Sequence, residues 1–200
     1  MPQVTCTVLL VVTSWMMALA DSAPVLRVRI YDQSGLSSSD LNGGTRELMS
    51  IYRSAGIYAS VRNCPVPDSC PEEFAVNEVG VRLLSAFCRA ERARLAQAVV
   101  AKGGNLSTVY TAAVTEAAAR AGVNTGRVLG YVIAHEVAHL LGLHHSGGGV
   151  MRTGWTDADY RSMGNGSILF TRTEAKAMES RIGGAVSSAA STGQALHGSR

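Results

Sequence analysis

The segment His135–His145, which reads HEVAHLLGLHH, constrains this chain more than any other part of its sequence. Side chains four residues apart on a helix project from the same face, about one turn apart. His135 and His139 can therefore bind a single metal ion if the segment is helical. Glu136 lies beside the first histidine, where its carboxylate can accept a proton from a water bound to that metal. The spacing predicts a metal site on a helix with an adjacent general base.

Gly142 determines where the chain goes after this helix. Glycine readily adopts the left-handed conformation that ends a helix, so the chain can turn back toward the two histidines. His145, three residues further on, can then supply a third nitrogen, and its neighbour His144 competes for the same role. Three protein nitrogens leave a fourth position of a zinc ion open for water, which distinguishes a catalytic zinc site from a closed structural one. We predict one Zn²⁺ per chain.

The first half of the chain predicts an α/β domain. Residues 25–31 alternate apolar and charged side chains, as in a half-buried strand. Residues 41–54 have a mostly helical apolar spacing, with N-cap candidates at 37–40 and a natural stop at Gly56. Residues 57–61 predict a second strand and residues 79–84 a third. The chain therefore opens with a β-α-β unit.

The second half predicts a hairpin followed by helices. Residues 98–101 and 106–111 flank Gly103-Gly104, a typical hairpin turn, and we place the hairpin from about Leu95 onward. Asn124-Thr125 caps a helix over 127–141, and a last helix covers about 173–182. Residues 183–200 are rich in Gly, Ser and Ala without apolar periodicity, which predicts a flexible tail.

The N-terminus has the features of an export signal. Residues 1–20 carry no charge, contain an apolar run too short for a comfortable membrane span, and end in Ala18-Leu19-Ala20, a typical cleavage site. We predict a signal peptide over 1–20, a secreted or periplasmic protein, and no stable membrane insertion after cleavage. The alternatives are an uncleaved segment that tethers the protein to a membrane and a buried N-terminal helix.

The cysteines agree with export. Cys64 and Cys70 flank a proline-rich loop, and a disulfide between them suits an exported protein. Cys88 is then an odd thiol, expected to pack as a small hydrophobic residue. A zinc site built from these three cysteines is the alternative, although the paired C-x-x-C spacing is absent.

Composition excludes two further classes. Hydrophobic residues make up 46% of the chain and charged residues 16%, which is incompatible with disorder. The formal net charge is +3 and the arginines are scattered, so we expect no nucleic-acid partner.

The motif resembles that of the metzincin clan of zinc metallopeptidases, H-E-x-x-H-x-x-G-x-x-H followed by a Met-turn. It is most similar to small bacterial metzincin-like proteins, through the run Gly149-Val150-Met151-Arg152-Thr153-Gly154-Trp155. The resemblance implies a zincin-like domain over 24–182, with a small mixed twisted sheet, an active-site helix and a C-terminal helix. It also implies that His135, His139 and His145 bind zinc, that Glu136 is the general base and that Met151 forms an apolar floor under the metal.

The function implied is that of a secreted zinc-dependent metalloendopeptidase, in which Glu136 activates a zinc-bound water to hydrolyse peptide bonds. One alternative is a non-catalytic zinc-binding protein of the same fold that acts as a binding module. Another is a gluzincin-type hydrolase with a distant ligand such as Glu174 or Glu179, which Gly142 and His145 make less favourable.

The substrate is expected to be a peptide or protein. An extended peptide could add to an edge strand formed by the end of the hairpin, with Val109, Tyr110 and Thr111 as its residues. In the resembled family this added strand runs antiparallel across the zinc. Thr153 and Trp155 would then lie near the pocket for the residue after the cut, unless Trp155 belongs to the core.

Overall fold

The computed structural model describes residues 25–64, 70–71, 73–85, 95–99 and 105–195. The predicted signal peptide, the Gly103-Gly104 turn and Cys88 lie outside these residues. None of the helices that the structure describes is long and apolar enough to cross a membrane.

A five-stranded sheet forms the base of the domain, with the strand order β2-β1-β3-β5-β4. Its strands are β1 (Val25–Gln33), β2 (Tyr58–Asn63), β3 (Glu78–Leu84), β4 (Ala96–Val99) and β5 (Leu106–Tyr110). The pairs β1–β2, β1–β3 and β3–β5 are parallel, whereas β4 runs antiparallel to β5. The mixed sheet and the β-α-β opening are therefore confirmed.

Helices α1 (Ser38–Ser54) and α3 (Thr125–Leu140) pack against each other, and α3 also contacts β3, β4 and β5. The two helices approach closely where Gly44 of α1 faces Gly130 of α3. A Cβ atom built on Gly44 would lie 2.8 Å from a side-chain carbon of Leu129, and a Cβ atom built on Gly130 would lie 2.8 Å from the Gly44 carbonyl oxygen. Tyr52 is fully buried, and its hydroxyl donates to the Ala134 carbonyl at 3.1 Å. These contacts fix the position of α3, which carries the histidine motif.

The hairpin exists, but its two strands are arranged differently from the prediction. The structure places β5 between β3 and β4, so the outer strand is β4. Val109 and Tyr110 lie on this inner strand, and Val109 is fully buried. Thr111 is the first residue of a helix. The prediction that these three residues form the edge strand is wrong, because a local pattern cannot tell which strand of a hairpin pairs with the rest of the sheet.

Two helices had no counterpart in the sequence analysis: α2 (Thr111–Ala121) and α4 (Asp157–Gly164). Helix α5 (Arg172–Ala195) includes the predicted C-terminal helix but continues beyond its expected end at residue 182. The extra turns fall in the segment predicted to be a flexible tail. Alanine and serine are compatible with a helix, and no proline interrupts the segment.

The loop between β2 and β3 is held at both ends. A disulfide joins Cys64 and Cys70, as predicted. Arg29, which is 3% exposed, donates to the carboxylate of Glu78 and to the backbone oxygens of Pro71 and Glu73. The buried guanidinium therefore fixes the chain that enters β3.

Candidate metal centre

Helix α3 begins at Thr125, two residues before its predicted start, and ends at Leu140, one residue before its predicted end. The side chain of Asn124 caps the N-terminus by accepting a hydrogen bond from the Arg127 amide at 3.1 Å. Leu141 is the C-cap of the helix, and Gly142 follows with a φ of +89°, in the left-handed region. This turn carries the chain back toward the helix, so that His145 lies beside the two helical histidines.

The three predicted histidines converge through one nitrogen each. The Nε2 atom of His139 is 3.0 Å from Nε2 of His135 and 3.1 Å from Nε2 of His145. These histidines form the group of the described residues that can hold a metal ion. His144, Glu174 and Glu179 are not part of it.

Backbone carbonyls determine which nitrogen of each helical histidine is free. His135 Nδ1 donates to the Val150 oxygen at 2.7 Å, and His139 Nδ1 donates to the Leu143 oxygen at 2.8 Å. Burial lowers the pKa of His135 to about 4, and it also lowers the pKa of His139. Both rings are therefore neutral at pH 7, and their Nε2 atoms present lone pairs toward the same point.

Such an arrangement fits a metal ion. Lone pairs about 3 Å apart repel one another unless a cation lies between them, and imidazole nitrogen is a common zinc ligand. A tetrahedral ion with zinc–nitrogen distances of 2.0–2.1 Å needs its ligands about 3.3 Å apart. The observed separations of 3.0 and 3.1 Å are close to this requirement.

Glu136 is placed beside this centre without a hydrogen-bond partner. The residue is 6% exposed, and its Oε2 atom is buried and unpaired. Burial raises the pKa of Glu136 to about 7. A buried polar atom without a partner is costly and typical of a functional site. The carboxylate also lines the same cleft as the histidines, so it is available to a bound water.

The turn around Met151, predicted to be the Met-turn, contacts the first of the three histidines through the Val150 carbonyl. Met151 is fully buried, and its carbonyl accepts a hydrogen bond from the Ser146 amide at 2.9 Å. Gly149 has a φ of +66°, and a Cβ there would lie 2.5 Å from the Leu169 oxygen, so glycine is required. The turn thus brings the Val150 carbonyl to His135.

A cleft of about 940 Å³ opens above the three histidines. Both predicted pocket residues line it, Thr153 as an exposed side chain and Trp155 as a half-buried one. The Trp155 ring meets the His135 ring edge-on, with centroids 5.2 Å apart. Leu95 and Ala96, at the start of the true edge strand β4, also line the cleft.

Sequence reasoning missed two helices that line the cleft. Helix α2 contributes Ala113, Glu116, Ala117 and Arg120, and helix α4 contributes Tyr160. The run of alanines at 112–121 followed by Gly122 was the available signal for α2. For α4 the signal was Thr156 with Asp159 three residues later, which form a capping box.

Comparison with known proteins finds the same fold among solved structures. The sequence matches no protein-family model, and a comparison with curated proteins also gives no match. Among solved structures, the chain is similar to archaemetzincin from Methanopyrus kandleri, with a TM-score of 0.53 and 13% identity, covering 82% of this chain and 99% of that one. It is also similar to a zinc-dependent peptidase from Methanocorpusculum labreanum, with a TM-score of 0.52 and 12% identity, covering 76% and 99% of the two chains. The predicted zincin-like α/β fold is confirmed.

Proposed function

We propose that this chain is a zinc-dependent metalloendopeptidase of the small bacterial metzincin-like type. The observation that carries the proposal is the convergence of three Nε2 atoms beside the unpaired, buried carboxylate of Glu136. Two solved structures of the same fold are an archaemetzincin and a zinc-dependent peptidase, which supports a peptidase activity here. The run from Gly149 to Trp155 supports the finer type.

His135, His139 and His145 would hold the zinc, and all three line the cleft. When bound, zinc polarises a peptide carbonyl and makes water a stronger acid. Glu136 accepts the proton from the attacking water, because its Oε2 atom has no competing partner. It then returns this proton to the leaving amine as the peptide bond breaks.

The substrate would bind as an extended peptide along β4. Among the strands that the structure describes, β4 is an outer one, and the backbone groups on the outer side of such a strand can pair with a peptide main chain. Leu95 and Ala96 place the start of this strand at the cleft. A peptide held in this way can extend beyond the cleft in both directions, as cleavage of internal bonds requires.

We further propose that the protein is exported, with residues 1–20 as its signal peptide. The uncharged apolar run that ends in Ala18-Leu19-Ala20 supports this proposal. The disulfide between Cys64 and Cys70 agrees with an oxidising compartment. Sequencing the N-terminus of protein recovered from the medium or periplasm tests it, and an intact residue 1 would contradict cleavage.

The test of catalysis is Glu136→Gln, measured as kcat/KM on a mixed peptide library with zinc content determined in the same samples. The variant keeps the size of the side chain and removes the base, so we expect wild-type zinc content and a rate reduced about a hundredfold or more. Glu116→Gln is the matched control, because Glu116 lines the same cleft with a side chain that is 69% exposed. A Glu136→Gln protein that cleaves as fast as Glu116→Gln, or a zinc-loaded wild type that cleaves nothing, would overturn the proposal.

A further inference from the structure

Helix α2 lines the cleft with one face, which has a buried part and an exposed part. The residues that line the cleft, Ala113, Glu116, Ala117 and Arg120, are spaced as expected for one face of a helix. Ala113 and Ala117 are buried, Ala117 being only 1% exposed. The side chains of Glu116 and Arg120 are 69% and 52% exposed. Along this helix the cleft is therefore apolar on its inner side and charged at its outer edge.

The apolar inner side continues onto α3, next to the candidate general base. Val132 also lines the cleft and is 2% exposed. It precedes Glu136 by four residues on the same helix, so the Cβ atoms of these two residues lie about 5–6 Å apart. Ala117 and Val132 belong to the same cluster of buried hydrophobic residues. Apolar surface thus reaches the residue that is proposed to activate the attacking water.

Two aromatic rings extend the same surface toward the three histidines. Tyr160 of α4 belongs to this hydrophobic cluster, and Trp155 packs against it. The centroid of the Trp155 ring lies 6.2 Å from that of Tyr160 and 5.2 Å from that of His135. Both aromatic residues line the cleft. We call the set of Ala117, Val132, Trp155 and Tyr160 the apolar recess.

The two arginines of the cleft each have a carboxylate partner within the protein. Arg120 pairs with Glu116 at 3.4 Å and with Asp157 at 3.9 Å, and Arg152 pairs with Asp159 at 3.2 Å. Their charges are therefore compensated and partly exposed to water, where such pairs attract a further charge only weakly. The cleft has no uncompensated arginine that would select an acidic substrate.

We propose that Ala117 and Val132 are specificity-determining residues, which make the peptidase select an apolar side chain next to the cleaved bond and limit the size of that side chain. Alanine at 117 leaves room that a larger residue would fill, and a charged side chain would lose its hydration in the recess without gaining a partner. This inference rests on the proposed function, because the selected side chain must belong to a peptide bound at the three-histidine centre.

The test is kcat/KM on a series of peptides with one host sequence, in which each residue beside the cleaved bond is varied in turn. At one of the two positions we expect leucine to be preferred over alanine, aspartate and lysine by about tenfold or more. Ala117→Val narrows the recess and should reduce the preference for leucine over alanine about tenfold. Val132→Ala widens the recess and should shift the preference from leucine toward phenylalanine by a similar factor.

Ala118→Val is the matched control, because Ala118 is fully buried in the same helix but does not line the cleft. It should lower the melting temperature and leave the side-chain preference unchanged. If Ala117→Val fails to fold, Ala113→Val places the same substitution one turn earlier on the inner side of α2 and should also reduce the preference for leucine.

Three outcomes would overturn the inference. The narrowing and widening variants could keep the wild-type preference, or Ala118→Val could change it as much as Ala117→Val does. The third outcome is fastest cleavage of the aspartate peptide, which would assign selection to Arg120 and Arg152.

Calorimetry on the same peptides separates this inference from the proposed function. If the zinc-loaded wild type cleaves no peptide but binds the leucine peptide more tightly than the alanine peptide, and Ala117→Val removes this difference, the proposed function fails and the recess stands as a binding site. If the wild type cleaves all peptides of the series equally well, the proposed function stands and this inference fails.

Discussion

The close crossing of α1 and α3 makes a sharp prediction about Gly130. A Cβ at this position would lie 2.5 Å from Glu47 Cβ and 2.8 Å from the Gly44 carbonyl oxygen. Since the second atom belongs to the backbone of a packed helix, no side-chain rotation relieves the overlap and the two helices must separate. Gly130→Ala is therefore an overpacking substitution in the middle of the fold.

The size of the expected change in the free energy of unfolding follows from two opposing effects. Overpacking in a core costs about 1–3 kcal/mol, whereas alanine in a helix interior is favoured over glycine by about 0.5–1 kcal/mol. We expect Gly130→Ala to lower the free energy of unfolding by about 1–2 kcal/mol. For a domain of this size, that corresponds to a fall in Tm of about 2–8 °C.

Gly43 provides the matched control within the same helix pair. A Cβ built on Gly43 meets its nearest atom, the Gly126 Cα, at 3.4 Å, which is an ordinary contact. Gly43→Ala should therefore gain the helix preference without the overlap and raise the free energy of unfolding by about 0.5–1 kcal/mol. Urea unfolding followed by circular dichroism measures both variants. If both alanines stabilise the protein, or both destabilise it equally, the helices do not cross as closely as described.

Three further substitutions test the metal ligands and the buried ion pair. His145→Ala should reduce zinc content well below one ion per chain in elemental analysis, whereas His144→Ala should retain it; the reverse pattern would assign the third ligand to His144. Hydrogen bonds from Arg29 hold the pKa of Glu78 below its usual value. The pair therefore stabilises the protein at pH values above the unfolded-state pKa of about 4.3, and this contribution is lost as the pH falls through the lower native pKa. Glu78→Gln should therefore cost about 3 kcal/mol at pH 7, and the urea midpoints of variant and wild type should converge as the pH falls through the native pKa of Glu78; a pH-independent gap would show that charge is not the cause.

The parts of the fold that sequence predicted well are those governed by short-range rules. The alternation of apolar and charged residues over 25–31 predicted β1, and the N-caps at Ser37 and Asn124 predicted the starts of α1 and α3. These features are predictable because a strand face and a helix cap depend on only a few neighbouring residues. The metal site was predictable for a similar reason. Two of its histidines share one helix turn, and the third follows after a glycine that ends the helix.

The errors arose where contacts between distant parts of the chain determine the structure. Val109 was expected at an edge and lies inside the sheet, since the order of strands depends on which partner β5 meets across the chain and not on its own residues. Helix α2 consists largely of alanine, which occurs on its exposed face, at Ala112 and Ala119, as well as on its buried face, so the alanines did not mark one face in the sequence. Glu174 was considered as a distant zinc ligand, but the metal-binding group of the described residues excludes it. Its burial becomes visible only in three dimensions.

The hydrogen bonds that orient His135 and His139 both end on main-chain oxygens, those of Val150 and Leu143. A side-chain partner can be deleted by one nucleotide change, whereas a carbonyl is present whatever residue occupies the position. Substitutions at 143 and 150 can therefore accumulate without removing these acceptors, provided that the backbone path is kept. Insertions or deletions between residues 142 and 151 would move the acceptors themselves. The two acceptors therefore depend on the length of this segment more than on the side chains at 143 and 150, and libraries that diversify the cleft should keep this length together with Gly142, His145 and Gly149.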